Sequence, residues 1–125
     1  MKTAIYTMTH KIFSVPEDEM YIPLQVGAAV NETLGYTGDN TGDNISQLIC
    51  YYCELTGMYW VWKNVHDCDY VGICHYRRYL LARNGTMFTS SEIENIMKDY
   101  DVITTKRLRL NFTYHTGFGK NHNIN

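Results

Sequence analysis

No stretch of this 125-residue chain holds the roughly 18–20 consecutive apolar residues that cross a membrane. Its opening, Met1 to His10, is too short and too polar for a secretory core. The expectation is therefore a cytosolic protein without a transmembrane segment. In that setting the sequons at Asn31, Asn44, Asn84 and Asn111 carry no meaning. Charge of one sign is also scarce. A formal net charge of -2 argues against nucleic acid as a partner, because that affinity comes mainly from neutralising phosphates. Paired cysteines are few as well. Cys50 and Cys53 have C-x-x-C spacing, but Cys68 and Cys74 do not, and a zinc ribbon needs two tight pairs. Reduced, buried thiols are expected, with no metal site. With only two prolines and ordinary apolar and charged fractions, the composition carries no flag for disorder.

What is present reads as one domain of α/β type. Thr3 to Thr9 alternates apolar and polar residues and is rich in β-formers, which predicts a first strand with His10 and Lys11 just past its end. Ser14 to Glu19 is loop. Tyr21 to Val26 predicts a short strand that Pro23 places at an edge or ends early, and Gly27 to Val30 a helical turn. The repeat GDNTGDN, Gly38 to Asn44, is turn chemistry. Aligned as a calcium loop from Asp39, it puts Asn44 at the glycine position and Cys50 at the terminal glutamate position, so that match fails.

Ser46 to Val65 predicts the longest helix, with Leu48, Tyr52, Leu55, Tyr59 and Trp62 as its apolar stripe and Ser46 as its N-cap. Gly57 inside it marks either a close approach or a tolerated glycine. Asp69 to Cys74 predicts a buried strand. Ser91 and Glu94 form a capping box for a helix to about Asp99 that turns Ile93, Ile96 and Met97 inward. Asp101 to Thr105 predicts a last strand, joined by a parallel crossover. The resulting fold class is Rossmann-like, a mostly parallel sheet with flanking helices. Beyond Lys106 the pattern dissolves, and Gly117 to Asn125 gives no stop signal. That reads as the first portion of a longer domain.

Ligands of open parallel sheets sit beyond the carboxyl ends of the strands. His75, Arg77 and Arg78 follow directly on the expected buried strand. A guanidinium pair there suits a diphosphate, which it can hold in a bidentate fork. On spacing alone the arginines read equally well as surface residues paired with carboxylates, and His75 as a metal ligand, a phosphate ligand or a structural histidine. Asp67-Cys68-Asp69 has D-x-D spacing but precedes its strand, so it belongs at the opposite edge.

Three composite segments, GDNTGDNIS (Gly38 to Ser46), YCELTGMYWVWKN (Tyr52 to Asn64) and DYVGICHYRRYL (Asp69 to Leu80), occur in that order. IYTMTHK (Ile5 to Lys11) and YIPLQVGAA (Tyr21 to Ala29) precede them. Together they resemble a bacterial domain-of-unknown-function family from capsular polysaccharide and exopolysaccharide synthesis loci, regarded as glycosyltransferase-like and of the GT-A fold class. The resemblance implies a glycosyltransferase that moves a sugar from a nucleotide-sugar donor to a glycan acceptor, a growing capsule, exopolysaccharide or O-antigen. It implies work on the cytoplasmic side, at the inner face of the membrane where the acceptor is lipid-linked. It places His75, Arg77 and Arg78 on the donor diphosphate. His10, Asp39, Asn40, Asp43, Asn44, Tyr52, Glu54 and Asn64 are placed near the nucleotide.

The family strand that usually ends in D-x-D ends here in His75-Tyr76-Arg77. A divalent cation (manganese or magnesium) is therefore left open as a cofactor, since the arginines can take its place. The family domain is longer than this chain, so the catalytic base is left unassigned. Two alternatives stand beside the enzyme. One is a truncated remnant that binds nucleotide or sugar without turnover. The other is an interaction module that uses Tyr51, Tyr59, Trp60, Tyr76 and Tyr79, with homo-oligomers as its product.

Overall fold

The computed structural model describes residues 2–109 of the chain. The expectations for Asn111 and for Gly117 to Asn125 lie outside them. Four strands, β1 (Thr3–Thr9), β2 (Tyr21–Gln25), β3 (Thr37–Gly38) and β4 (Tyr70–His75), form one all-parallel sheet in the order β3-β2-β1-β4. The helices are α1 (Ile49–Tyr52), preceded by a 3-10 turn at Ser46–Leu48, then α2 (Leu55–Asn64) and α3 (Ser90–Ile96). Among the described residues no helix is long and apolar enough to cross a membrane.

β1 pairs with β2 and β4 along its two edges, and helices cover both of its faces. Ala4 and Tyr6 pack with Leu24 and with Trp60 and Val61 of α2 on one side. Ile5 packs with Met20, Tyr21 and Ile93 of α3 on the other. This gives a helix–sheet–helix sandwich with the carboxyl ends of all the strands on one edge. Pro23 fits because hydrogen-bonding direction alternates along a strand. Val26 N–H donates to Thr9 on the β1 side, and Gln25 C=O accepts from Asp39 on the β3 side. The Pro23 nitrogen thus faces the β3 side, and β3 begins pairing only opposite Leu24.

The long helix expected from Ser46 to Val65 is broken. Cys53 adopts φ 50°, which ends α1 and re-aims the chain before α2 begins. The expected stripe is also on the wrong side. Leu48, Tyr52, Leu55 and Trp62 are exposed, and Thr56, Gly57, Trp60 and Val61 face the sheet. Backbone proximity decides this orientation. A Cβ on Gly57 would lie 2.7 Å from Val26 Cγ1 and 3.1 Å from Met8 Sδ, so only glycine lets α2 sit this close to β1 and β2. Cys50 and Cys53 are exposed on the α1 side instead of buried. Cys74 is partly buried, which pushes its thiol pKa up.

The loop after β3 straps α2 to the sheet. Asp39, Thr41 and Asp43, two residues apart, meet Thr56, Trp60 and the Tyr59–Asn64 pair on successive helical turns. Alternate residues of the turning loop thus reach successive turns of α2. Gly42, at φ 56°, gives the turn that this requires, and a Cβ there would run into the Asn64 side chain. Asp39 anchors the strap. Its Oδ1 accepts from Ala28 N–H (3.1 Å) and Ser46 Oγ (2.5 Å), and its Oδ2 from Gly27 N–H (3.0 Å) and Thr56 Oγ1 (2.6 Å).

Two further expectations change. The strand foreseen as buried, β4, is the sheet's edge among the described residues, with Val71 and Ile73 exposed. Asp101 to Thr105 is not a strand, so no parallel crossover forms there. The segment runs beside β4 without pairing and packs Ile103 into the α3-side core. α3 opens two residues before the expected capping box. Thr89 accepts from Glu92 N–H, Glu92 accepts from Thr89 N–H, and Glu94 is taken up by Thr3 Oγ1.

The Asp39 anchor sets a testable cost. Asp39→Asn puts an amide NH2 against N–H and O–H donors. At about 1–3 kcal/mol for each buried group left unsatisfied, a loss of at least that order is expected. It should read as a lower urea midpoint at unchanged m-value.

Candidate functional site

β1 and β4 deliver their side chains to the same edge, and the local chemistry there fixes where each one points. After β1 the chain turns at once. Thr9 Oγ1 accepts from Lys11 N–H (3.1 Å) and bonds the Lys11 carbonyl (2.5 Å), so His10 and Lys11 stand up from the sheet. After β4 the turn is equally tight. Arg78 N–H donates to the His75 carbonyl (2.8 Å) and Tyr76 N–H to Met8 (3.0 Å), which leaves Arg77 at the tip.

The two turns meet on the Tyr76 ring, which is 9% exposed. Lys11 Nζ lies 5.5 Å and Arg77 Cζ 5.4 Å from its centroid, both in cation–π range. His10 stands edge-on at 5.6 Å, His75 lies tilted at 4.4 Å, and Phe13 packs at 5.8 Å. Tyr36, reaching from before β3, holds Phe13 through its ring and its hydroxyl. Among the described residues neither Arg77 nor Arg78 is in a salt bridge, and both are exposed. That removes the reading of the pair as surface arginines locked to carboxylates of the same described region.

His75 is held as a neutral ring. Its Nδ1 accepts from Arg77 N–H (3.2 Å), so Nε2 carries the proton and faces Glu54 Oε1 at 3.6 Å. Burial lowers its pKa below the ordinary 6.5. Glu54 pulls the other way, and the charges of Arg77, His10 and Arg78 add to the lowering. With one nitrogen bonded to backbone and the other turned to a carboxylate, this histidine positions the turn.

The residues expected around a nucleotide do not gather in one place. Glu54 and His10 join His75, Arg77 and Arg78 at the carboxyl edge. Asn64 ends α2, about 15 Å along the helix from Glu54 at 1.5 Å per residue. There its amide bridges Asp43 and Trp60 carbonyls. Asp43 accepts from Tyr59 Oη, and Asn44 bonds Gly42 and Ser46. Asp39 is 0% exposed, and its four internal donors leave no surface for a ligand. These strap residues are engaged in holding α2. Asn40 is exposed beside Gly38, and Tyr52 is half-exposed on α1. Asp67 and Asp69 lie at the amino edge, where they bind Lys2 through its ammonium and backbone N–H. Of the aromatics read as an interaction surface, Tyr51 is 81% exposed, but Trp60 and Tyr76 are core.

Sequence reasoning passed over Tyr76 as the centre of the cluster, and Lys11 and Phe13 as its partners. Lys11 carried a usable signal, since it lies two residues past a strand end. Phe13 carried none, because its partner Tyr36 is 23 residues away.

A family model described as "Domain of unknown function (DUF4422)" matches residues 4–125. A solved structure described as the apo form of the bifunctional glycosyltransferase WbbM is similar to this chain. The identity is 48% and the TM-score 0.59, over 64% of this chain and 14% of that one. The chain thus spans about one-seventh of that neighbour's length. No curated protein matches it.

The His75 geometry predicts a pH dependence. A ring whose folded pKa lies below 6.5 takes up its proton more readily when unfolded, so stability is full above pH 6.5 and falls as pH drops towards the folded value. In His75→Asn, whose amide oxygen still accepts from Arg77 N–H, that component of the fall should vanish in denaturant titrations between pH 7 and pH 5.

Proposed function

This chain belongs to the DUF4422 family, and on that premise we propose that its carboxyl-edge cluster holds the diphosphate of a nucleotide-sugar donor. The observation that carries the reading is the placement of Lys11 and Arg77 over Tyr76, with Arg78 next in the same turn, and no salt bridge from any of the three to carboxylates among the described residues. Permanent cations at the carboxyl ends of parallel strands suit a small dianion. The net charge of -2 over the whole chain matches a local anion site better than a polyanion track.

In sugar transfer the bond between the anomeric carbon and the diphosphate oxygen breaks. Its electron pair stays on the phosphate, and the acceptor hydroxyl forms the new bond as it gives up its proton. Arg77, Arg78 and Lys11 stand where negative charge grows on the leaving group, and fixed positive charge there lowers the barrier. The arginines take the part that a divalent cation plays elsewhere. His75 and Glu54 hold the turn that presents Arg77. We assign no base.

The similarity to a glycosyltransferase structure at 48% identity supports this chemistry. The wider reading is a GT-A-type transferase that extends a bacterial surface polysaccharide, with residues 1–125 as the donor-binding portion of a longer domain. Its acceptor is a glycan at the cytoplasmic face of the membrane. Donor binding is proposed for these residues, and turnover for a protein of the neighbour's kind.

Calorimetric titration with nucleoside diphosphates and nucleotide sugars, with and without manganese, tests the reading. Arg77→Ala should weaken the best diphosphate by roughly ten- to 150-fold, the equivalent of about 1.5–3 kcal/mol for a charge-assisted hydrogen bond. Asp67→Asn, at the opposite edge, should change nothing. Unchanged affinity in Arg77→Ala removes it from the site, and a large loss in Asp67→Asn moves the site to the amino edge.

A further inference from the structure

The two edges of the described sheet are built differently. β3 is only two residues long and leaves little backbone to recruit another strand. β4 runs for six residues and carries no proline, lysine or carboxylate, the groups that usually blunt an edge. Hydrogen-bonding direction alternates along it. Tyr70 N–H donates to Lys2 C=O and Tyr76 N–H to Met8 C=O, so the even-numbered residues serve β1. The N–H and C=O groups of Val71 and Ile73 therefore point away from the sheet, and no described backbone group takes them. His75 closes the row, since its N–H and C=O are bound to Arg78. Four unpaired groups remain along the edge.

The side chains beside this edge are apolar and open to solvent. Gly72 faces Ile5 on the α3 side, so Val71 and Ile73, 54% and 38% exposed, point to the α2 side. α2 adds Leu55, Met58 and Trp62, which their spacing places on one flank and which are exposed as well. Leu55, Met58 and Ile73 line a groove of about 220 Å³ between α2 and β4. Asp101 to Ile103 pass on the opposite, α3 side, with Ile93 and Met97, and leave that groove open.

An apolar face alone would suit a lipid surface, but lipid offers no partner for backbone N–H and C=O groups. A strand does. A second β4, antiparallel about a two-fold axis at Gly72, satisfies all four groups at once. Val71 then lies opposite Ile73 of the second copy and exchanges two hydrogen bonds with it, and the axis repeats the pair. Gly72 meets Gly72 between them at a non-hydrogen-bonded position, where strands approach most closely. Both α2 flanks come to the same side and close the two grooves. Charge agrees with that direction. Asp67 and Asp69 precede β4, and His75, Arg77 and Arg78 end and follow it, so reversal brings each acidic end to a basic one. We propose that β4 is a self-association edge, through which two copies of this chain join their four-stranded sheets into one. The inference does not depend on the nucleotide-sugar reading.

Sedimentation velocity of the full chain across a concentration series tests it, and a reversible dimer is expected. Val71→Lys sets an ammonium group at the edge of each copy. Because a two-fold interface counts every change twice, it should weaken the dimer at least roughly tenfold. Val71 is exposed, so the far-ultraviolet spectrum of the monomer should be unchanged. Gly72→Cys reads the register. A Cβ there lies 3.3 Å from Ile5 Cγ1, a contact that a small shift of that side chain relieves. Facing Cα atoms about 4.5 Å apart lie within the range a disulfide spans. With the exposed Cys50 and Cys53 changed to serine, oxidised glutathione should convert Gly72→Cys to a covalent dimer and leave the parent chain uncrosslinked. Val71→Cys, whose thiols lie two residues out of register, should cross-link far more slowly.

A chain that stays monomeric at every concentration overturns the proposal, as does a dimer that Val71→Lys leaves intact. A monomer that instead floats with phosphatidylglycerol vesicles gives the face to lipid and overturns it too. Equal cross-linking of the two cysteine variants overturns the Gly72-centred pairing.

Discussion

A single buried carboxylate organises the half of the molecule on which the site is built. Asp39 has no exposed surface, and its two oxygens gather donors from the turn after β2, from the start of the helical region and from α2. A buried anion is tolerated only when such donors replace its water. The need for them draws the three segments into one register. Once Asp39 is fixed, the strap runs in step with α2, and Gly57 is pressed against Val26 and Met8. The start of α2 then comes to rest beside β4, with Glu54 opposite His75. The position of the cationic turn is thus set in part by a group that never meets a ligand.

The carboxyl edge works by a different economy. There the central group is a ring, Tyr76, whose faces and rim accept two cations, two imidazoles and a phenylalanine. Like charges crowd together readily around an aromatic quadrupole, each being drawn to the ring as it repels the others. Such a cluster presents concentrated positive potential on a near-neutral chain, and an arriving anion relieves the repulsion. Among the described residues no carboxylate forms a salt bridge with Lys11 or Arg77. Glu54 serves the neutral His75, and Asp67 and Asp69 bind Lys2 at the far edge.

How much of this was legible depended on whether the deciding contacts were local. β1 and β2 could be read because β-rich composition and alternation are local signals, although Pro23 pointed to an edge or an early end and β2 lies inside the sheet between β3 and β1. α3 could be read for the same reason, although two overlapping capping boxes competed and the choice depended on Thr3, 91 residues from Glu94. The face of α2 could not be read from apolar spacing. Counting hydrophobic residues favoured Leu48, Tyr52, Leu55, Tyr59 and Trp62, but a glycine and a threonine with distant partners turned the helix the other way. The break at Cys53 had no signal, since neither glycine nor proline marks it. Asp101 to Thr105 has β-forming composition, yet propensity without a paired neighbour does not make a strand. At the site, the strand-end rule reached His10, His75, Arg77 and Arg78. The strap residues looked like ligand groups because the polar side chains that hold a helix are the same types that hold a nucleotide.

The spacing of these contacts along the chain also orders the folding of the molecule. The bonds that strap α2 close loops of 17 to 21 residues. Seating β4 against β1 joins residues about 67 apart, as between Thr7 and Cys74. Longer closures cost more entropy before they return any contact energy, so the helix and its strap can assemble before β4 arrives. The turn that carries Arg77 depends on the later, longer closure. Partial unfolding should then release that turn first, well before the helical signal declines.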